Sequence, residues 1–178
     1  MSIKQINPNY PIFHTSFDVP HREEMVASVI DQHIEQKSTK GGISFCLKKE
    51  LWFDNLYQNH LNIATSLFGG LQLDNSNSRN CWAYVNNKNF YEGCIHDHCR
   101  TSVVNSVYYL SIPETASRDE GSICFYTFQN EELFKFKPKT GDMLIFPYYF
   151  RHMPLQSHTD DYRIAINMEI KCNNVWGM

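Results

Sequence analysis

The feature that most constrains this chain is the punctuation of its back two-thirds. From Cys81 onward, short segments rich in Tyr, Phe, Val and Ile run over 81–86, 93–98, 103–112, 121–128, 133–136, 142–147 and 162–171. They are parted by Asn86-Asn87, Pro113, Gly121, Pro138 to Gly141 and Pro147. Segments this short leave little room for amphipathic helices, and turn formers at such intervals belong to an antiparallel sandwich or barrel. The 12 Phe, 10 Tyr and 3 Trp among 178 residues suit a β-rich protein with a pocket better than a helical bundle. In the last segment Ile164, Ile166, Met168 and Ile170 alternate with Arg163, Ala165, Asn167 and Glu169. A strand here has one apolar face, fit to lie against helices, and one face whose charge and amide call for a polar interior.

The front third reads differently. After a polar opening that contains proline, Asp18 is placed to cap a helix running to about Gln36, with Pro20 in its early turn and Glu23 and Glu24 at its positive end. Met25, Val29, Ile30, His33 and Ile34 share one face of it. Gly41-Gly42 breaks the chain, Ile43 to Leu47 suits an edge strand, and Leu51 to Phe68 returns to helical spacing with Trp52, Leu56, Ile63 and Leu67 on one side. Gly69-Gly70 supplies the stop. The expected organisation is one domain over 1–178, with helical support over 1–75 and a β core over 81–171. Trp176, in the tail, is expected to dock back on that core.

Charge and cysteine usage narrow the function classes. Lys and Arg number 16 against 19 Asp and Glu, a net charge of −3, which gives no electrostatic footprint for a polyanion and disfavours nucleic acid as a partner. The six cysteines, at 46, 81, 94, 99, 124 and 172, form no CxxC pair of the zinc-knuckle or thioredoxin kind. No stretch approaches about 18 uninterrupted apolar residues, and the opening lacks the pattern of a signal peptide. The expectation is a soluble cytoplasmic protein with reduced thiols and no membrane partner.

The chemistry concentrates in three places. In Gly93-Cys-Ile-His-Asp-His-Cys-Arg100, His96 and His98 are two apart. On an extended strand both imidazoles project to one face and can share a metal, while Asp97 points to the other. His152 follows the segment Asp142 to Pro147 and brings a third nitrogen from a neighbouring strand. Arg163 opens the last strand on its polar face, where a guanidinium can hold a carboxylate through two parallel hydrogen bonds. Singly, each piece has an ordinary explanation: paired histidines are commonly packed or exposed, strand-start arginines are commonly solvated, and aromatic runs such as Phe146 to Phe150 are commonly core. Their order along one β-rich segment is what favours a metal site.

The stretch Trp82 to Ile170 resembles the double-stranded β-helix (jelly roll) of iron(II)- and 2-oxoglutarate-dependent oxygenases, especially small members of bacteria and their phages. The matching words are His96-Asp-His98, Asn105-Ser-Val-Tyr-Tyr-Leu-Ser-Ile-Pro113, Gly141-Asp-Met-Leu-Ile-Phe-Pro147, His152 and Arg163-Ile-Ala-Ile-Asn167. The resemblance covers about half of the chain, and implies a mostly β fold whose N-terminal α-helices pack on one sheet. It makes His96, His98 and His152 ligands of Fe(II), with His98 standing where the wider superfamily has Asp or Glu. Asp97 is the competing ligand there.

The same resemblance gives Arg163 the distal carboxylate of 2-oxoglutarate, with Tyr109, Asn167 and, more weakly, Asn86 as partners; Tyr108 competes with Tyr109. Ala165 stands where relatives tend to have Ser. Trp82, Tyr84 and Phe150 are the expected walls. The implied reaction hydroxylates a C–H bond of a small-molecule or peptide substrate, consumes O2 and converts 2-oxoglutarate to succinate. Two other readings stand beside it: a cupin-like three-histidine metal protein that does without 2-oxoglutarate, and a non-catalytic β-sandwich of a binding or virion protein. Arg163 discriminates, because the cupin-like site has no need of a buried carboxylate clamp.

Overall fold

The computed structural model describes residues 2–40, 44–47, 51–69, 80–99, 103–114 and 119–170. In chain order its elements are β1 (Lys4–Asn7), β2 (Tyr10–Ser16), α1 (Arg22–Lys40), β3 (Ser44–Cys46), α2 (Leu51–Leu67), β4 (Asn80–Asn86), β5 (Val104–Ser111), β6 (Ile123–Tyr126), β7 (Glu132–Phe136), β8 (Asp142–Pro147), β9 (Arg151–Pro154) and β10 (Arg163–Ile170). The strands form a seven-stranded sheet in the order β1-β2-β8-β5-β10-β4-β3 and a three-stranded sheet in the order β7-β6-β9, antiparallel throughout. With two helices behind the larger sheet, this is the mostly β jelly roll that the segment pattern predicts.

The pleat of the larger sheet sorts side chains into two cores. Ile164, Ile166, Met168 and Ile170 of β10, with Ala83 and Val85 of β4 and Tyr108 and Leu110 of β5, pack against Met25 and Val29 of α1 and Phe53, Leu56 and Ile63 of α2. The opposite faces of the same strands send Val107, Tyr109, Leu144, Phe146 and Ala165 towards Ile123 and Phe125 of the smaller sheet. Strand alternation alone separates the two sets, since residues of opposite parity never share a face.

Several expectations need correction. The polar opening forms the β1–β2 hairpin, which pairs with β8 and contributes Ile12, at 0 % exposure, to the core between the sheets. Its apolar positions are too few for the sequence to announce a strand, and the sheet edge supplies the missing partner. Asp18 does not cap α1: the helix opens at Arg22, its first backbone bond runs from Met25 N to the carbonyl of His21, and Pro20 lies in the turn before it. Asp18 instead accepts from Val19 N and from the Arg22 guanidinium. Ile34 is 56 % exposed, off the buried face. Segment 93–98 is no strand: His96 makes an isolated bridge to His152 inside an otherwise irregular loop. The neighbouring strand expected to carry His152 is β9, whose bounds were not legible because Arg151-His-Met-Pro154 alternates nothing apolar over enough residues. Lys171, Trp176 and Cys172 lie outside the described residues. No helix among the described residues is long and apolar enough to cross a membrane.

Because the hairpin completes the inter-sheet core, Ile12→Ala should destabilise the protein by about 2–4 kcal/mol, the cost of a buried cavity of that size. Urea denaturation read by circular dichroism measures it, and an effect below about 0.5 kcal/mol would mean that the opening does not dock on β8.

Candidate metal and carboxylate site

Between the two sheets lies a cavity of about 270 Å³. Its floor comes from the polar side of β10 (Arg163, Ala165, Asn167), with Val107 and Tyr109 of β5 and Trp82 and Tyr84 of β4 beside them. Ile123, His152 and Pro154 of the smaller sheet close the opposite side, and His96 sits at the junction. Ser44, Glu92 and Cys94 form the exposed margin.

The loop carrying His96 and His98 is irregular, yet it is tied down at several points. His96 and His152 exchange both backbone hydrogen bonds, at 3.1 and 2.9 Å, and His98 N donates to the Tyr148 carbonyl at 3.1 Å. The Tyr84 hydroxyl donates to the Glu92 carbonyl at 2.7 Å and the Tyr91 hydroxyl to the Pro154 carbonyl at 2.8 Å. Gly93 is required here for space: a Cβ at this position would overlap the Tyr91 hydroxyl.

These ties bring three imidazoles together. Ring centroids lie 4.4 Å apart for His96 and His152, 5.2 Å for His96 and His98, and 5.3 Å for His98 and His152. One ring nitrogen of each falls within 4.8 Å of the other two. Each Nδ1 faces an acceptor: the Cys94 carbonyl for His96 at 2.9 Å, the Phe150 carbonyl for His152 at 3.0 Å, and the Glu169 carboxylate for His98 at 2.5 Å. An Nδ1 that donates its proton leaves the lone pair on Nε2, the tautomer a metal ligand needs. Burial, reinforced by the neighbouring His96, pushes His152 down to about 3, and burial likewise lowers His96, so both rings are neutral at physiological pH. The donor set therefore fits a divalent metal. Asp97 points away and accepts from Cys99 N at 3.1 Å. The loop, rather than the strand alternation expected from the sequence, separates it from the imidazoles.

At the other end of the cavity Arg163 is 2 % exposed, and its Nε donates to the Gly121 carbonyl at 2.9 Å. Gly121 offers that carbonyl from a left-handed turn, φ 69°, close under the Arg163 side chain. Arg163 Nη1, the Tyr109 hydroxyl and both amide atoms of Asn86 are buried without a hydrogen-bond partner among the described residues. Buried polar groups left unpaired cost about 1–3 kcal/mol each, so convergent ones point to a ligand that pairs them. Tyr109 also lies under the guanidinium, whose carbon is 5.2 Å from the ring centroid. Burial raises the Tyr109 phenol, keeping it protonated as a donor. A carboxylate matches this set: two or three donors, one of them a fixed cation.

The other sequence candidates divide cleanly. Tyr108 faces the helices and donates to the Phe17 carbonyl at 3.2 Å, which leaves Tyr109 as the cavity phenol. Asn167 and Ala165 line the cavity, whereas Asn86 stands opposite Arg163 in the β4–β10 register and borders the arginine. Trp82 and Tyr84 are walls, as expected. Phe150 is not: it belongs to the inter-sheet core, edge-on to Tyr10 and Phe125, because the turn after β8 points it inward beneath the site. Glu169 is the site residue missed by sequence reading, where it figured only as one more polar position on β10. Its two-residue steps from Arg163 along one face were the available signal.

No curated protein sequence matches the chain. Solved structures do share its fold. A prolyl 4-hydroxylase from Phytophthora capsici superposes with a TM-score of 0.72 at 15 % identity, over 93 % of this chain and 60 % of that one. A Pseudomonas putida prolyl-4-hydroxylase gives 0.62 at 15 % identity, over 91 % and 93 %. A Trichoplax adhaerens prolyl hydroxylase, in complex with a peptide fragment of the hypoxia inducible factor oxygen degradation domain, gives 0.64 at 12 % identity, over 92 % and 84 %. The sequence profile described as "Putative 2OG-Fe(II) oxygenase" matches residues 80–169, half of the chain, including the three histidines and Arg163. The protein thus belongs to the 2OG-Fe(II) oxygenase family, whose Fe(II) and 2-oxoglutarate fit its histidine cluster and its buried arginine.

Proposed function

We propose that this chain is a hydroxylase in which His96, His98 and His152 hold Fe(II), and Arg163, with Tyr109 and Asn167, holds the distal carboxylate of 2-oxoglutarate. Asn86, opposite the arginine in register and with an unpaired amide, is the weaker candidate for the keto-acid end. The observation that carries this reading is that two independent constellations meet at one cavity: His96 and His152, which line it with His98 grouped beside them and all three Nδ1 atoms engaged, and a buried guanidinium with an unpaired donor. A three-histidine protein indifferent to 2-oxoglutarate has no use for the second. Bound together, iron(II) and 2-oxoglutarate let O2 oxidise the keto acid to succinate and carbon dioxide while one oxygen atom enters a substrate C–H bond.

The chain's own part is positional. Gly121 and the Tyr109 ring fix the Arg163 fork, so the keto acid meets a preset pair of donors instead of a mobile charge. Trp82, Tyr84 and Val107 exclude water from the middle of the cavity. The substrate is a small molecule or a peptide that reaches the site past Ser44, Glu92 and Cys94; the peptide seen with the Trichoplax enzyme supports the second class. The chain is placed in the cytoplasm, where reduced thiols and iron(II) coexist.

Oxygen uptake and succinate formation by purified protein, dependent on both iron(II) and 2-oxoglutarate, test the assignment; their absence with fully iron-loaded protein would reject it. Replacing His96 or His152 by Ala should abolish stoichiometric iron binding; because the buried His152 ring also packs on Phe125 and Phe146 of the inter-sheet core, circular dichroism checks that the fold survives. Full iron retention by His152→Ala would exclude the triad. Arg163→Lys keeps the charge but loses the fork, and 2-oxoglutarate affinity by calorimetry should fall about tenfold or more with iron content unchanged.

Gly93→Ala must displace Tyr91 and with it the histidine loop. Iron affinity should fall by about tenfold or more while the urea midpoint moves little, because the loop lies outside both cores. Equal losses in both would assign Gly93 a purely structural part.

A further inference from the structure

Among the described residues that line the cavity, only Arg163 and Glu92 carry a permanent charge. Arg163 is buried at the inner end, where the keto acid answers its charge in the reading above. Glu92 stands at the exposed margin. Its backbone is fixed, because the Tyr84 hydroxyl donates to its carbonyl at 2.7 Å. Its carboxylate has no cation within ion-pairing distance among the described residues, and Lys88, the nearest lysine in sequence, is engaged with Asp160 at 2.7 Å. Burial, and in smaller measure the Glu92 carboxylate, raises the Tyr84 phenol, so the negative charge acts on the cavity wall. Trp82 and Tyr84 form that wall, and the face of an aromatic ring attracts cations.

We infer that the substrate carries a cationic group, an ammonium or a guanidinium, which rests against Glu92 and the Trp82 ring while the C–H bond to be hydroxylated lies deeper, towards His96 and His152. This rests on the reading of the cavity as the seat of Fe(II) and 2-oxoglutarate. The two carboxylates of the keto acid answer Arg163 and the metal, and neither is left over for what arrives at the margin. An anionic substrate meets like charge there, and a neutral one leaves Glu92 to water. A cation alone gains from both the carboxylate and the aromatic face. Because the margin is exposed, the pairing is modest in strength, and Glu92 selects among substrates without holding one by itself.

Calorimetry on the full chain loaded with Co(II) and 2-oxoglutarate, under argon, tests this without turnover. Two pairs of probes differ chiefly in charge: the capped tripeptides acetyl-Ala-Lys-Ala-amide and acetyl-Ala-norleucine-Ala-amide, and the small molecules hexylamine and hexanol. In at least one pair the cationic member should bind about fivefold or more tighter than its neutral partner, and the pair that does so tells a peptide substrate from a free amine. Glu92→Gln keeps the backbone bond from Tyr84 and should reduce the difference to about twofold or less. Salt at about 0.5 M should likewise reduce it in the unaltered protein. Neutral members that bind as tightly as the cationic ones in both pairs overturn the inference. So does a preference that Glu92→Gln leaves undiminished, as direct ligation of the metal by the amine would. Failure of the unaltered protein to take up Co(II) or 2-oxoglutarate would instead overturn the site reading on which the inference rests.

Discussion

The pleat of β10 is the constraint on which the rest of the molecule depends. The strand lies between β4 and β5 near the middle of the larger sheet, so both its faces are covered. Residues of one parity weld the sheet to α1 and α2; of the other parity, Arg163, Ala165 and Asn167 line the cavity and Glu169 meets the His98 ring beyond it. Seven residues, Arg163 to Glu169, thus span the distance between a carboxylate anchor and the support of an imidazole. A slip of one residue would turn Arg163 into the helix-packed core and Ile164 into the cavity, and no other strand could compensate. The apolar face resists that slip with four buried aliphatic side chains, each contributing roughly 1.5–3 kcal/mol. The hydrophobic core, in other words, is what holds the polar site in register.

The site itself spends that stability. A buried guanidinium, a buried carboxylate and a buried neutral imidazole are each unfavourable alone. They are made tolerable by short-range partners drawn from different parts of the chain: the Gly121 carbonyl for Arg163, the His98 ring for Glu169, the Phe150 carbonyl for His152. Irregular backbone supplies two of these three, which is why the turns before β6 and β9 matter as much as the strands that follow them.

Much of this was legible in the sequence, and the misses share a cause. The alternation of residues 163–170 fixed which side chains face the cavity, and the order of His96, His98, His152 and Arg163 pointed to the functional reading. What could not be read was anything decided by a distant backbone. His96 and His98 converge because a loop is pinned to His152, Tyr148 and Pro154, not because they alternate on a strand. Tyr10 to Ser16 becomes a strand because β8 has a free edge beside it. Phe150 has the aromatic character expected of a wall, but both it and His152 pack on Phe125, and only His152 also reaches the cavity. Glu169 shows the same limit in reverse: its face was readable, its partner 71 residues away was not.

The two ends of the larger sheet are β1 and β3, both drawn from the first 46 residues, while the strands between the hairpin and β3 are β8, β5, β10 and β4. The edge strand β1 pairs with its sequence neighbour β2, but the other side of β2 pairs with β8, which begins at Asp142. The β1–β2 hairpin can therefore form locally, but it docks on the sheet only after β8 is in place, so that its inner edge waits for residues more than 120 positions further on. Contacts this distant in sequence slow folding and prolong the exposure of strand edges that other chains can capture. The core between the sheets, to which Ile12 belongs, is thus completed by a contact between segments far apart in the chain.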